Sequence, residues 1–308
     1  MSQDQQRDPG IIARVPLPFA LDLARTFGRY RYGTGDPAYF ASTAGIWRAF
    51  GTPQGAATAL FSVSRGELVV QAWGPGAAWV LHNVTGLAGL EDDLTGFTPG
   101  AGIVRDLHTR FAGVRIARTG LVLESLVPAI LSQKITGKEA FASWRRLLRQ
   151  YGAPAPGPVP RPMRVPPSAE VLRGLDDAQW HLLGVDRAHR STIRRVAARA
   201  ASVERLSTRS AEDGATALKS IRGIGEWTAA EVVERAWGSA DHPSFGDYHI
   251  PTSVGMAFRG EPVDDAGMAE LLEPYRPHRG RVVRLIELAG IRKPRRGPRR
   301  TVPDFRAI

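Results

Sequence analysis

The 308-residue sequence contains no cysteine, which excludes disulfides, a cysteine-ligated zinc site and an iron–sulfur cluster. A reducing, cytoplasmic setting is the expectation that follows. No run approaches the ~18 consecutive apolar residues that a membrane span requires, so no membrane partner is expected. The opening residues, MSQDQQRDPG, are polar and lack the charged-then-apolar order of an export signal. Lysine is scarce: Lys134, Lys138, Lys219 and Lys293 are the only four. The net charge of +11 therefore rests almost wholly on arginine. Such an excess suits a polyanionic partner, and arginine suits bidentate phosphate contacts. A GC-rich coding sequence produces the same bias, so charge alone leaves both explanations open.

The hydropathy pattern changes period along the chain. Ala57–Val63 and Leu68–Trp73, on either side of a turn at Arg65–Gly66, read as a β-hairpin. Ala77–Val84 reads as a short helix ending before Gly86. From about Gly120 the period is helical. Leu121–Leu131 is a largely apolar helix, kinked or restarted at Pro128. Thr136 and Glu139 form a capping box for the next helix, which carries Phe141, Trp144, Leu147, Leu148 and Tyr151 on one face. Residues 153–167 are proline-rich and read as an extended linker or surface excursion. Helical patterning returns at Ser168–Leu183 and Arg190–Ala201. The expected architecture is mainly α with an N-terminal α+β part. An antiparallel sheet domain spans 1–110, a helical portion spans 111–290, and a basic, disordered tail spans 291–308.

The strongest local signal is Leu218-Lys-Ser-Ile-Arg-Gly-Ile-Gly-Glu-Trp-Thr-Ala229. A helix capped by Ser210 runs to Lys219–Ser220, Gly223 and Gly225 bracket Ile224 in a tight turn, and a second helix starts near Glu226. Glycines let an anion approach the backbone, and the unpaired amides and dipole of a new helix start attract it. Ile224 packs between the helices, Lys219 and Arg222 flank the phosphate, and Thr228 completes the motif. A tight αα-turn that binds nothing is the bland alternative for a bare Gly-X-Gly. The full spacing favours contact with a nucleic-acid backbone, which positions a protein but reads no sequence. The six basic residues between Arg292 and Arg300 then serve either as a solubilising tail or as a non-specific DNA-binding arm.

With the hairpin and Asp247-Tyr-His-Ile250 placed after it, the sequence resembles the helix-hairpin-helix DNA glycosylases, in particular their 3-methyladenine glycosylase II branch. Ala129-Ile-Leu-Ser-Gln-Lys-Ile135 resembles the family segment that enters the duplex, and Tyr275-Arg-Pro-His-Arg279 is a weaker match. The resemblance covers about Gly120 to Gly290. It implies a glycosylase bundle beside a small antiparallel-sheet domain. It also implies a monomer that needs no cofactor and no metal, save a monovalent cation at the hairpin backbone, and whose partner is double-stranded DNA containing a damaged base. By the same match Gln133 and Lys134 sit at the gap left by the extruded base, and Arg279 contacts DNA. Their bland alternative is a solvated helix terminus.

The resemblance also implies the chemistry. Asp247 is the catalytic carboxylate, set against positive charge that builds on the sugar as the N-glycosidic bond breaks. Its structural alternative is an N-cap for the following helix. The base must first leave the stack, because the bond is inaccessible within it. Trp227 and Tyr248 resemble the family's pocket residues. Bifunctional relatives place a lysine where Trp227 stands, so a Schiff-base path is disfavoured and the enzyme is expected to be monofunctional. Glu231 and His278 stand where aromatics are usual. As pocket residues they alter the substrate range; otherwise they are an exposed helix face and a cap or phosphate contact. Alkylated purines are the expected substrate, with oxidised or deaminated bases, or a non-catalytic damage-binding role, as alternatives.

Overall fold

A computed structural model describes residues 9–293. The basic tail expected from 291 onward therefore lies, beyond Lys293, outside the described residues. Five strands, β1 (Ile11–Pro16), β2 (Tyr39–Ser42), β3 (Gly45–Thr52), β4 (Gly55–Ser64) and β5 (Glu67–Trp73), form one antiparallel sheet in the order β1-β5-β4-β3-β2. The expected hairpin is β4 and β5, in which Phe61 pairs with Val70 and Leu60 with Gln71. Successive side chains point to opposite faces, and here both faces are covered. Ala57, Ala59, Phe61, Leu68 and Val70 face a core shared with Phe27 of α1 (Leu23–Phe27) and Val80 of α2 (Ala77–His82). Trp47, Ala49 and Trp73 face the main helical core instead. The Trp47 and Trp73 rings stack there at 5.3 Å between centroids. The helix expected over 77–84 is broken: α2 stops at His82 and α3 (Val84–Leu87) runs through Gly86.

The helices that follow are α4 (Ile103–Arg110), α5 (Val122–Leu131), α6 (Gly137–Tyr151), α7 (Ala169–Gly174), α8 (Asp177–Leu182), α9 (Arg187–Ala198), α10 (Ala200–Glu204) and α11 (Ala211–Lys219). After them come α12 (Glu226–Trp237), α13 (Ile250–Phe258), α14 (Asp265–Leu272) and α15 (Arg279–Ala289). Helix α5 is buried almost all round, and Pro128 lies within it without dividing it. Both bonds of the Thr136–Glu139 capping box start α6, which buries Trp144, Leu147 and Leu148. The proline-rich stretch 153–167 is not a linker. Met163 and Val165 are buried in the main core, and Val165 donates to the Ala153 carbonyl at 2.9 Å. Arg161 fastens it to the Asp36 and Tyr39 carbonyls, both at 2.9 Å.

A separate apolar cluster joins Val104 and Leu107 of α4 to Val254, Met268, Val282 and Ile286. Helix α4, which falls within the 1–110 span expected to be the N-terminal domain, thus packs with the C-terminal helices. No helix among the described residues is long and apolar enough to cross a membrane.

One buried ion pair ties the sheet to the helices. Arg48 on β3 donates to Glu124 of α5 at 2.7 Å, and the other Glu124 oxygen accepts from the Gly51 amide at 3.2 Å. Both side chains are largely buried, so removing the carboxylate strands a guanidinium inside the protein. Glu124→Leu is expected to lower the unfolding free energy by about 3–5 kcal/mol, measured by urea unfolding.

Candidate active site

The hairpin is formed by α11, the turn at 220–225 and α12. Ser210 caps α11 by accepting from the Asp213 amide at 3.1 Å. Ile224 is buried between the helices. The two glycines do different work. Gly223 has φ +97°, and a Cβ there would lie 2.3 Å from Thr192 Oγ1, so the fold itself demands glycine. Gly225 has an extended backbone, φ −100° and ψ −175°, and a Cβ there would meet nothing within 4 Å. Neither packing nor backbone geometry requires glycine at 225, and its lack of a Cβ leaves the backbone at the start of α12 open to close approach.

The flanking residues are less available than the sequence suggested. Lys219 donates to Glu226 at 2.9 Å. The Gln133 amide is turned inward, donating to the Gly223 carbonyl at 2.9 Å and to Thr228 Oγ1 at 2.8 Å. Gln133 thus bolts the end of α5 to the hairpin. Lys134 and Ile135 are left exposed beside it, with Lys134 at φ +54° in the left-handed region, a conformation that costs a non-glycine residue about 1 kcal/mol or more. Arg222 is exposed. Arg279 is held by Asp241, donating from Nε and Nη2 to the carboxylate at 2.9 Å each.

A cavity of about 1320 Å³ opens beside the hairpin. Asp247, Trp227, Tyr248, Glu231 and Lys134 all line it. The Trp227 indole N–H donates to Asp247 Oδ2 at 2.9 Å. Asp247 Oδ1 accepts from the His249 and Ile250 amides at 2.7 and 2.9 Å. Asp247 therefore caps the start of α13 and faces the cavity at once. Tyr248, 88% exposed, stands at the rim with its ring edge-on to His249 at 4.9 Å between centroids.

Two expectations need correction. His278 does not belong to this cavity. It is buried, with Nε2 donating to the Thr95 carbonyl at 2.9 Å and Nδ1 accepting from Arg281 at 3.2 Å. It borders a smaller pocket of about 280 Å³ elsewhere. Glu231 does line the cavity, but it is neither an exposed helix residue nor a free acceptor. It is 9% exposed. Oε1 accepts from Arg29 at 3.1 Å and Ser244 at 2.7 Å, and Oε2 accepts from Arg235 at 2.8 Å. Burial alone raises its pKa, but Arg235, Arg29 and the Ser244 hydroxyl overcome that and hold it at about 2.

Sequence reasoning missed Arg29, Arg31 and Tyr32, which reach the cavity from the segment between β1 and β2, and also Arg235 and Arg284. Arg235, four residues after Glu231 on one helix, was legible as an i,i+4 pair. Arg29 meets its partner across 202 positions, and no local pattern records that. Arg29 also donates to Glu234 and lies 3.6 Å from Glu287.

Two outcomes follow from this geometry. Gly223→Ala is expected to destabilise the protein by more than about 1 kcal/mol through its positive φ and the clash with Thr192, while Gly225→Ala leaves thermal stability nearly unchanged. Because the folded pKa of Glu231 lies below its unfolded value, its stabilisation is complete above about pH 4.5 and is lost as pH falls toward about 2. Urea unfolding followed across that range should show a shallower pH dependence in Glu231→Gln than in the wild type.

No family model matches the sequence, and no curated protein matches it. Among solved structures, a 3-methyladenine DNA glycosylase from Archaeoglobus fulgidus is 21% identical, with 89% of this chain and 97% of that one covered at a TM-score of 0.75. MBOgg1, in complex with a low-affinity DNA ligand, is 15% identical over 92% and 95% of the two chains, with a TM-score of 0.69. An 8-oxoguanine glycosylase/lyase from Clostridium acetobutylicum, in complex with double-stranded DNA, is 11% identical over 87% and 90%, with a TM-score of 0.65. Over nearly its whole length the chain has the fold of these DNA glycosylases.

Proposed function

We propose that the protein is a monofunctional DNA glycosylase, which hydrolyses the N-glycosidic bond of a damaged base extruded from the duplex. The observation that carries the reading is Asp247, a carboxylate on the wall of a large cavity, fixed by one indole N–H and two backbone amides. Breaking the bond leaves positive charge on the sugar. A fixed carboxylate stabilises that charge more than the neutral ground state, without having to reorganise as the charge develops. Water supplies the nucleophile. No amine stands at Trp227; its indole N–H instead orients the carboxylate.

The hairpin supplies the grip on the duplex. The open approach to Gly225 and the amides at the start of α12 suit a phosphate, and exposed Arg222 flanks them. Lys134 and Ile135, exposed on the cavity rim, stand where the duplex meets the cleft. The partner in this reading is double-stranded DNA, and the fold shared with DNA glycosylases supports it. An alkylated purine is the substrate that the sequence resemblance suggests. Glu231, a candidate acceptor for such a base, already accepts from Arg29, Ser244 and Arg235, and an oxidised or deaminated base is the alternative substrate.

Asp247→Asn is expected to keep its affinity for duplex DNA while single-turnover base release falls by about 10²–10³. Wild-type rates in that variant would sink the mechanism. The product should be an intact strand with an abasic site, cleaved only after hot alkali, with no adduct trapped by borohydride. Gly225→Asp should weaken binding to every duplex tested and reduce the salt slope by about 0.9 for each phosphate that is no longer neutralised. Unchanged affinity and slope would remove the hairpin from the interface.

A further inference from the structure

We propose that His189 is a positioning residue for the segment that meets the duplex. It acts as an imidazolium fixed by Asp186, and its second N–H holds the Gln133 carbonyl and so sets Lys134 at the mouth of the cleft. The proposal rests on the glycosylase reading above. His189 lies on α9, is only 7% exposed and does not line the cavity, so any part it plays passes through another residue. Its Nδ1 lies 2.7 Å from Asp186 Oδ2 and its Nε2 lies 2.9 Å from the Gln133 carbonyl oxygen. A carboxylate and a carbonyl only accept. A neutral imidazole has one N–H and one bare nitrogen, so it satisfies one partner and turns a lone pair toward the other. The two contacts together require a proton on each nitrogen. Burial raises the pKa of Asp186, but the His189 amide and the charge and N–H of the ring outweigh it and hold the carboxyl below its ordinary range. Asp186 also caps α9 by accepting from the His189 amide at 2.9 Å, so one side chain fixes both the ring and the start of its helix.

What the ring holds is the peptide plane that leads into Lys134. Lys134 has φ +54°, a conformation that persists in a non-glycine residue only where its surroundings over-determine it. Those surroundings grip Gln133 from two sides. Its side-chain amide is tied to Gly223 and Thr228 of the hairpin, and its carbonyl is tied to His189. Lys134 and Ile135 follow directly and line the cavity. Without the bond from His189 the peptide plane is free to turn, and Lys134 relaxes to ordinary backbone and leaves the cavity mouth.

Helix α9 makes this contact from a fixed base. Further along it, Thr192 lies against Gly223, and Arg195 donates from Nη1 to the Arg222 carbonyl at 2.6 Å. These two residues support the hairpin, which grips the backbone of any duplex. His189 supports the segment at the cleft, which matters where a base has left the stack. Its removal therefore affects recognition of the gap more than the grip on the backbone.

The test uses the full chain and measures its affinity, by fluorescence anisotropy, for two duplexes. One is intact and the other carries a tetrahydrofuran abasic-site analogue, which leaves the gap of an extruded base. The wild type should prefer the abasic duplex. His189→Leu should lower that preference about tenfold, the effect of losing a hydrogen bond from a charged donor, with affinity for the intact duplex unchanged. His189→Gln, which keeps an N–H at a similar reach to Nε2, should restore most of it. In a Lys134→Ala background His189→Leu should have no further effect, because both act on one contact. An equal loss on both duplexes, a loss that adds to that of Lys134→Ala, or no loss in a folded His189→Leu protein overturns the proposal. Should leucine prevent folding, nitrogen-15 spectra of the wild type decide. At the pH of the binding assay the His189 ring, identified by its absence from His189→Gln, should show two protonated nitrogens, and a bare nitrogen overturns the proposal. A wild type that lacks the preference but still releases bases from methylated, deaminated or oxidised DNA overturns the proposal and leaves the glycosylase reading standing. A wild type that does neither overturns both.

Discussion

The cleft depends on a buried cluster of charge. Arg29, on the short 3-10 turn Gly28–Tyr30, reaches Glu231 and Glu234 of α12, while Arg235 reaches Glu231 from one turn further along the same helix. Taking such ions out of water costs several kcal/mol each, and only convergent partners offset it. Here two guanidinium groups and the Ser244 hydroxyl converge on one carboxylate. The consequence is geometric. The segment between β1 and β2 is fastened to α12, and Arg31 and Tyr32 are carried to the cavity with it. Asp36 then fixes the next stretch, accepting from the Tyr32 and Ala38 amides at 2.8 and 3.0 Å and from the Trp144 indole at 3.0 Å.

Helix α12 joins the two halves of the proposed activity. Its start is the hairpin turn, and Trp227, Glu231 and Arg235 follow at i, i+4 and i+8, so they share one face. The phosphate grip and the walls of the cleft are thus parts of one rigid element. Gln133 extends the coupling to α5 by donating to the hairpin at both Gly223 and Thr228. A base presented while the backbone is held at Gly225 meets groups at fixed distances from that anchor, which is what orientation in catalysis requires.

Local chemistry was readable from the sequence wherever cause and effect lie a few residues apart. The Thr136–Glu139 capping box, the Ser210 cap, the β4–β5 hairpin and the turn through Gly223 all belong to this class. What failed depends on contacts distant in the chain. Composition made 153–167 look like an extended linker or surface excursion, yet Met163 and Val165 are core residues that share a cluster with Trp47 and Trp73 of the sheet. His278 read as a surface or pocket residue. Its true neighbours, Thr95 and Arg281, come from a loop before α4 and from its own helix. Glu231 looked like a polar residue in search of a role, because half of its neutralising charge comes from Arg29 on a segment that showed no motif at all.

Trp227 concentrates the functional argument in one side chain. At this position an amine would be a nucleophile, and the product would be a cleaved strand. An indole offers one N–H and no lone pair for attack, and here that N–H is spent on Asp247. The ring occupies the space, and the donor fixes the plane of the carboxylate together with the amides of His249 and Ile250. Three donors on two oxygens leave little freedom for the carboxylate to turn toward solvent. The carboxylate so held lines the cavity. In the proposed mechanism the indole that offers no covalent path therefore also favours hydrolysis, because a carboxylate already held in place stabilises charge without first having to find its position.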